Sequence, residues 1–278
     1  MLDSLYDALM DSIKLLPYLF ITFIILEFIE HKMSHKNEKI LRKNKKYGPI
    51  LGGILGALPQ CGFGAMASNL FSGRVITLGT LIAVFLSTSD EMLPIMISNK
   101  TDISVLLGII LFKVVVGISV GVIIDLVFKF QDKDEHIHEM CVDEHCSCDH
   151  HGIMLSSLIH TLKIGFFILI ANVLINIIIF KVGEDNLSNL MTNQNIFTYF
   201  VASLVGLIPN CASSVIITEL FLSKIITLGT LMSGLLTGSG IGILLLFKTN
   251  KNLKENLSIL GLIYVIGVFV GLIVDIIL

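Results

Sequence analysis

Ile76-Thr77-Leu78-Gly79-Thr80-Leu81 returns letter for letter as Ile226-Thr227-Leu228-Gly229-Thr230-Leu231, 150 residues later. The flanks return at the same offset. Upstream, Pro59-Gln60-Cys61 becomes Pro209-Asn210-Cys211; downstream, Gly117, Gly121 and Asp125 become Gly267, Gly271 and Asp275. Aligned without a gap, residues 56–125 and 206–275 are identical at 21 of 70 positions. Duplicated halves in an apolar chain are the usual build of a transporter, whose site lies where the repeats meet.

The apolar character is not in doubt. Of 278 residues, 54% are hydrophobic and 15% charged, with a mean hydropathy of +0.87; a soluble domain carries about 25% charged residues. Apolar runs of 18 to 27 residues are long enough to cross a bilayer as helices. The composition therefore predicts an all-α polytopic membrane protein whose first partner is the lipid bilayer. Residues 1–12 are acidic with no basic start, which argues against a cleavable signal peptide. No basic, aromatic-rich surface suggests nucleic acid. Two of the five cysteines sit in apolar segments and three in one loop, so they do not read as a disulfide framework.

The apolar segments run over 13–30, 48–72, 75–97, 103–128, 155–180, 196–222, 225–247 and 256–278, four per half. Charge decides how the halves are related. Loop 31–47 carries seven Lys and Arg, a cytoplasmic signature, whereas its counterpart 181–195 has only Lys181 against Glu184 and Asp185. Loop 98–102 has one Lys; its counterpart 248–255 has Lys248, Lys251 and Lys254. The sign flips between halves, which predicts inverted repeats and hence an odd number of crossings in each. The economical solution makes 48–72 and 196–222 re-entrant hairpins, broken at Pro59 and Pro209, beside three full spans. Proline interrupts the helical ladder, and irregular backbone at membrane depth is tolerated only in a protein-lined cavity. The organisation expected is a first repeat over 1–130, a loop over 131–154 and a second repeat over 155–278. Both termini are then extracytoplasmic and the central loop cytoplasmic, in the inner (plasma) membrane. A homodimer is the assembly expected.

Inversion would bring the two tips together near the midplane. Pro59, Gln60 and Cys61 would face Pro209, Asn210 and Cys211, offering thiols, amides and freed carbonyls to a soft or borderline metal. Beyond the tips lie Asn69 and Glu219, the latter a carboxylate in an apolar stretch. The next segments hold Ser87, Ser89, Asp90 and Glu91 in the first half, and Thr237 and Ser239 in the second. Such oxygen ligands suit manganese, magnesium or sodium, and a raised carboxylate pKa at Asp90 would suit proton exchange. Lys113, mid-span in the following helix, is the matching counter-ion or proton-linked charge. Asp125 and Asp275 fall near span ends and read as interfacial. The Gly-x3-Gly pairs Gly117/Gly121 and Gly267/Gly271 read as close helix packing.

The loop between the halves holds His136, His138, Cys141, His145, Cys146, Cys148, His150 and His151. Imidazole and thiolate at this density bind transition metals, but the spacing fits no closed zinc finger. A flexible metal-binding segment that feeds or regulates transport is expected; a solvated acidic linker is the plainer alternative.

These features resemble a bacterial family described as ten-transmembrane heavy-metal exporters, also labelled manganese transporters or arsenic efflux proteins. The resemblance rests on Pro59-Gln60-Cys61-Gly62 and Pro209-Asn210-Cys211-Ala212, on the repeated sextet and on the His/Cys-rich loop, and covers essentially the whole chain. It implies ten segments, five per half with each hairpin counted as two. It also implies a heavy-metal substrate and export as the direction. The second half departs from the first where Gly240-Ile241 replace Asp90-Glu91, so a site that needs that pair is asymmetric.

The reading that follows is a secondary transporter of a transition or heavy metal cation such as manganese or zinc, with the metal as substrate and loop ligand and no catalytic cofactor. No phosphate-binding Gly-x4-Gly-Lys-Ser/Thr loop supports ATP drive. The alternative is an anion carrier for arsenite, an organic arsenical or a small carboxylate, held by the positive N-termini of the helices leaving each tip. An intramembrane enzyme or metal sensor has the least support, since no zincin-type His-Glu-x2-His motif is present.

Overall fold

The computed structural model describes residues 47–58, 61–89, 92–127 and 196–277, with scattered positions between 16 and 24 and between 154 and 173; the side chains of Cys61, Cys211 and Ala212 lie outside that set. Among the described residues all regular structure is helical: α1 (Gly48–Gly56), α2 (Cys61–Ser72), α3 (Leu78–Ser87), α4 (Met92–Ser98), α5 (Ile103–Val127), α6 (Phe197–Gly206), α7 (Cys211–Leu222), α8 (Leu228–Thr237), α9 (Ile241–Thr249) and α10 (Leu253–Ile277). The bounds of α2, α3 and α5 return in α7, α8 and α10 at the 150-residue offset of the sequence.

Among the described residues four stretches are long and apolar enough to cross a membrane: Leu78–Ser98, Ile103–Val127, Leu228–Thr249 and Leu253–Ile277. The chain is a multi-pass membrane protein. Its centre is formed by α3 and α8, in which every residue of Gly79–Ser87 and of Gly229–Thr237 is buried. In each half the long helix, α5 or α10, packs along the central one, and α1 or α6 covers another side of it. The halves meet where α2 packs on α9 and α7 on α4. The outer faces of the long helices are apolar and open. Leu107, Leu111 and Val115 form one such stripe on α5, and Val265, Phe269 and Ile273 form another on α10. Stripes of this spacing on a 25-residue helix are the surface that lipid covers.

The repeated sextet has a mechanical reason. Thr77 has extended backbone (φ −80°, ψ 162°) and N-caps α3, its hydroxyl oxygen accepting the Thr80 N–H at 3.1 Å. The same hydroxyl donates to Asp125 on α5 at 2.6 Å, and the Gly79 N–H donates to the other carboxylate oxygen at 2.8 Å. That carboxylate therefore sits on the positive end of α3. The approach is only possible without side chains, because a Cβ on Gly79 would lie 2.1 Å from the Gly121 carbonyl oxygen. Thr227, Gly229, Gly271 and Asp275 repeat the arrangement, with Gly229 N–H donating to Asp275 at 2.7 Å and the Thr227 hydroxyl donating to it as well. Tyr199 adds a third donor to Asp275 at 2.7 Å. Both aspartates are thus helix caps, a role their position near span ends does not reveal.

The helices break where the prolines sit: α1 ends at Gly56 before α2 starts at Cys61, and α6 ends at Gly206 before α7 starts at Cys211. Two further breaks depart from the segments expected at 75–97 and 225–247, which the sequence reads as unbroken. α3 stops at Ser87 and α4 starts at Met92; α8 stops at Thr237 and α9 starts at Ile241. Hydroxyls compete with the ladder there. Ser87 donates back to Ala83 at 2.7 Å, Thr88 to Val84 at 2.7 Å and Thr237 to Gly234 at 2.9 Å. Gly240 completes the second break at φ 51°, a conformation that favours glycine.

Candidate functional site

Breaking a helix frees the carbonyls of its last turn. At the end of α3, Thr88 is a C-cap with φ −56° and ψ 129°; at the end of α8, Leu235 lies in the last turn. One side chain reaches both. Lys113, on α5 and 1% exposed, donates from Nζ to the Thr88 carbonyl and, at 2.9 Å, to the Leu235 carbonyl of the other half. An ammonium at such depth is costly unless partners surround it, and two helix C-termini supply the sign it needs.

Beside it lies a cavity with about 20 Å³ open to the centre of a water-sized sphere, lined by Thr88, Ser89 and Lys113 from the first half and by Asn210, Ser213 and Ser214 from the second. That is room for about one water or one bare ion. The tight turn after Pro209 shapes its wall: the Asn210 N–H donates to Ile208 at 2.7 Å, and the Ser213 hydroxyl donates to the Asn210 carbonyl at 2.8 Å.

The helix that leaves each proline break packs against the other half. The 210 tip adjoins Thr88 and Ser89 across the cavity. The start of α2 adjoins the break after Thr237: a Cβ on Gly64 would lie 3.5 Å from the Ser239 carbonyl oxygen. The Ser68 hydroxyl donates to Gly242 at 2.7 Å, and Ser72 and Thr249 share a hydrogen bond of 2.7 Å farther along. Cys61 and Cys211 therefore head helices that start at these junctions.

Of the residues singled out from sequence, Ser89, Lys113 and Asn210 line the cavity. Ser87 and Thr237 are buried next to it, with their hydroxyls turned back onto their own helices. Ser239 is buried and donates to Thr237 at 3.3 Å, and Pro209 is half-buried. Asn69 is buried in α2, its Nδ2 without a hydrogen-bond partner, but does not line the cavity. Glu219 is exposed on α7, away from the cavity. Its helix face decides this, which an apolar sequence context does not report. Pro59, Gln60, Asp90 and Glu91 lie outside the described residues, as do His136, His138, Cys141, His145, Cys146, Cys148, His150 and His151. Among the described residues no three His, Cys, Asp or Glu side chains gather as a metal site. Ser213, Ser214, Met92 and Leu235 are cavity residues that sequence reasoning misses. For the two serines a signal exists: they stand where the first repeat has Phe63 and Gly64.

No curated protein and no solved structure matches this chain. A family model does, over residues 1–185, which take in the first half, the central loop and the segment after it. The chain belongs to that family, described as "putative, 10TM heavy-metal exporter".

Proposed function

We propose that this protein is a secondary transporter that exports a heavy or transition metal ion through the cavity between its helix breaks, by alternating access of two inverted repeats. The observation that carries this reading is the composition of the cavity wall. Ser89 at one break and Asn210, Ser213 and Ser214 at the opposing tip place hydroxyl and amide oxygens from both halves around a space the size of an ion. Asp90, Glu91 and Cys211 follow these positions in sequence, Gln60 and Cys61 stand at the matching tip of the first half, and together they complete the proposed ligand set.

Inversion is supported by which ends meet. Ser72 ends α2 and Arg74 lies in the turn before α3; they bond Thr249, which ends α9, and Glu255, in the first turn of α10. The start of the first broken span thus lies level with the end of the second. On this reading 48–72 and 196–222 are re-entrant hairpins, ten segments in all, and Arg74 shares the cytoplasmic face with the Lys-rich 248–255 loop.

The test is uptake of manganese, zinc, cadmium and cobalt into proteoliposomes, with and without a pH gradient, beside Asp90→Asn. Saturable movement of one metal, lost in the variant, establishes the class and names the substrate; no movement of any cation removes it. One observation favours a second reading, an arsenical or carboxylate anion: Lys113 lines the cavity together with the first turn of α7. Replacing both Cys61 and Cys211 by Ser separates the two, since a soft-metal carrier loses transport and a dipole-based anion site keeps it.

A further inference from the structure

The carbonyls of Thr88 and Leu235 belong to two different halves and to the C-terminal ends of two half-helices, α3 and α8. Such ends are partly negative, and their carbonyls lack the N–H groups that a continuing helix would supply. Where two of them converge on one point inside a membrane, the group that satisfies both is a cation. In this protein the group is the Lys113 ammonium, carried in on α5 from the side. The second half shows that the crossing of long and central helices does not itself require a lysine. At the matching position of α10 stands Ile263, fully buried and apolar.

We propose that the Thr88 and Leu235 carbonyls form a seat for one monovalent cation, which the chain fills with its own Lys113 in place of a sodium or potassium ion. The tethered ammonium does what a bound alkali cation does in a broken-helix carrier: it neutralises two helix C-termini and ties the two breaks to each other. On the reading of this protein as a secondary transporter, on which this consequence rests, the wild-type chain needs no sodium or potassium at this position to assemble its cavity.

Removing the lysine should expose the seat to a free cation. The experiment measures thermal unfolding of the full-length protein in detergent, in choline, sodium, potassium or methylammonium chloride at equal concentration. The wild type should melt at one temperature in all four. Lys113→Ala should melt lower in choline, and one or more of the smaller cations should raise it saturably toward wild type. Lys113→Gln fills the space with an uncharged donor and should be insensitive to the cation. If Lys113→Ala is not recovered folded in choline, purification in methylammonium should recover it. Equal melting of Lys113→Ala in all four salts overturns the proposal, as does a matching response from Lys113→Gln or failure to recover Lys113→Ala in any of the salts. Because melting needs no transported substrate, a negative result leaves the transport reading standing, and absence of metal transport leaves the seat standing.

Discussion

Arg74 and Glu255 are joined by two parallel hydrogen bonds, of 2.8 and 2.9 Å, across 181 residues of sequence and across the two halves. The guanidinium lies 5.4 Å from the centre of the Phe71 ring, and Arg74 itself sits at φ 58° in the turn after α2. Asn250 donates to the same carboxylate at 2.9 Å and to Asn256 at 2.9 Å, so the pair is embedded in a network at the start of α10. The other end of the molecule carries Lys224 and Val105 at the equivalent positions, which cannot form such a pair. The latch is one-sided. Both side chains are about one-fifth exposed, so a planar two-bond pair here should contribute about 1–2 kcal/mol. A double-mutant cycle of Arg74→Gln and Glu255→Gln in thermal unfolding should return a coupling of that size. The two single variants should favour the state open on this face, measured as faster labelling of a cysteine placed at Ser72. Additive effects with unchanged labelling would mean the pair holds nothing shut.

The aspartate caps differ by one donor, which sets an order. Asp125 accepts from Thr77 and Gly79; Asp275 accepts from Thr227, Gly229 and Tyr199. Each caps a central helix that is buried on all sides, so a lost bond is not replaced by water. Asp125→Asn should cost about 1–2 kcal/mol. Asp275→Asn should cost more, and Tyr199→Phe should account for part of the difference. Melting temperatures of the three variants check the ranking; equal losses for the two aspartates would show that the tyrosine bond carries no weight.

Four glycines offer a matched comparison. A Cβ on Gly79 or Gly229 would lie 2.1 or 2.3 Å from a backbone carbonyl oxygen of the facing long helix. Backbone cannot move aside as a side-chain tip can, so either Ala variant should separate the helix pair and lose several kcal/mol or fail to fold. Gly108 and Gly261, on the long helices, meet nothing within 4 Å. Their Ala variants should be neutral or stabilised by up to about 1 kcal/mol through helix propensity. Thermal unfolding of the four single variants decides it.

The period of the fold is legible in the sextet, because Thr, Gly and the distant Asp act as one unit and so recur together. The proline breaks are legible too, since proline cannot sit inside an unbroken ladder. The second pair of breaks is not: Ser87 and Thr88 bend their helix by bonding backwards, and hydroxyl residues do this in some helices while leaving others straight. The site is legible only by its side chains. Ser89, Lys113 and Asn210 stand out as polar residues in apolar runs, but the two bonds by which Lys113 joins the halves go to main-chain carbonyls, which have no letter in the sequence. Glu219 stands out equally and is exposed, because a single helix turn decides whether a carboxylate faces the core or the surface.

The ends that meet across the halves also fix an expectation about sides. Arg74 adjoins Glu255, so the turn after α2 and the loop before α10 share a face, while Lys100 precedes α5 at the opposite end of the first broken span. The 248–255 loop carries three lysines and the 98–102 loop one, so the former is the one expected inside. Reporter fusions read this directly. A fusion after Lys251 should be active with a cytoplasmic reporter such as a fluorescent protein, and one after Lys100 with a reporter that requires export, such as alkaline phosphatase. A fusion at Leu278 should behave like the one after Lys100. If the fusions after Lys100 and Lys251 report the same side, the repeats are parallel, the hairpins become full crossings, and the cavity at Ser89 and Asn210 can no longer lie on an axis that exchanges the two halves.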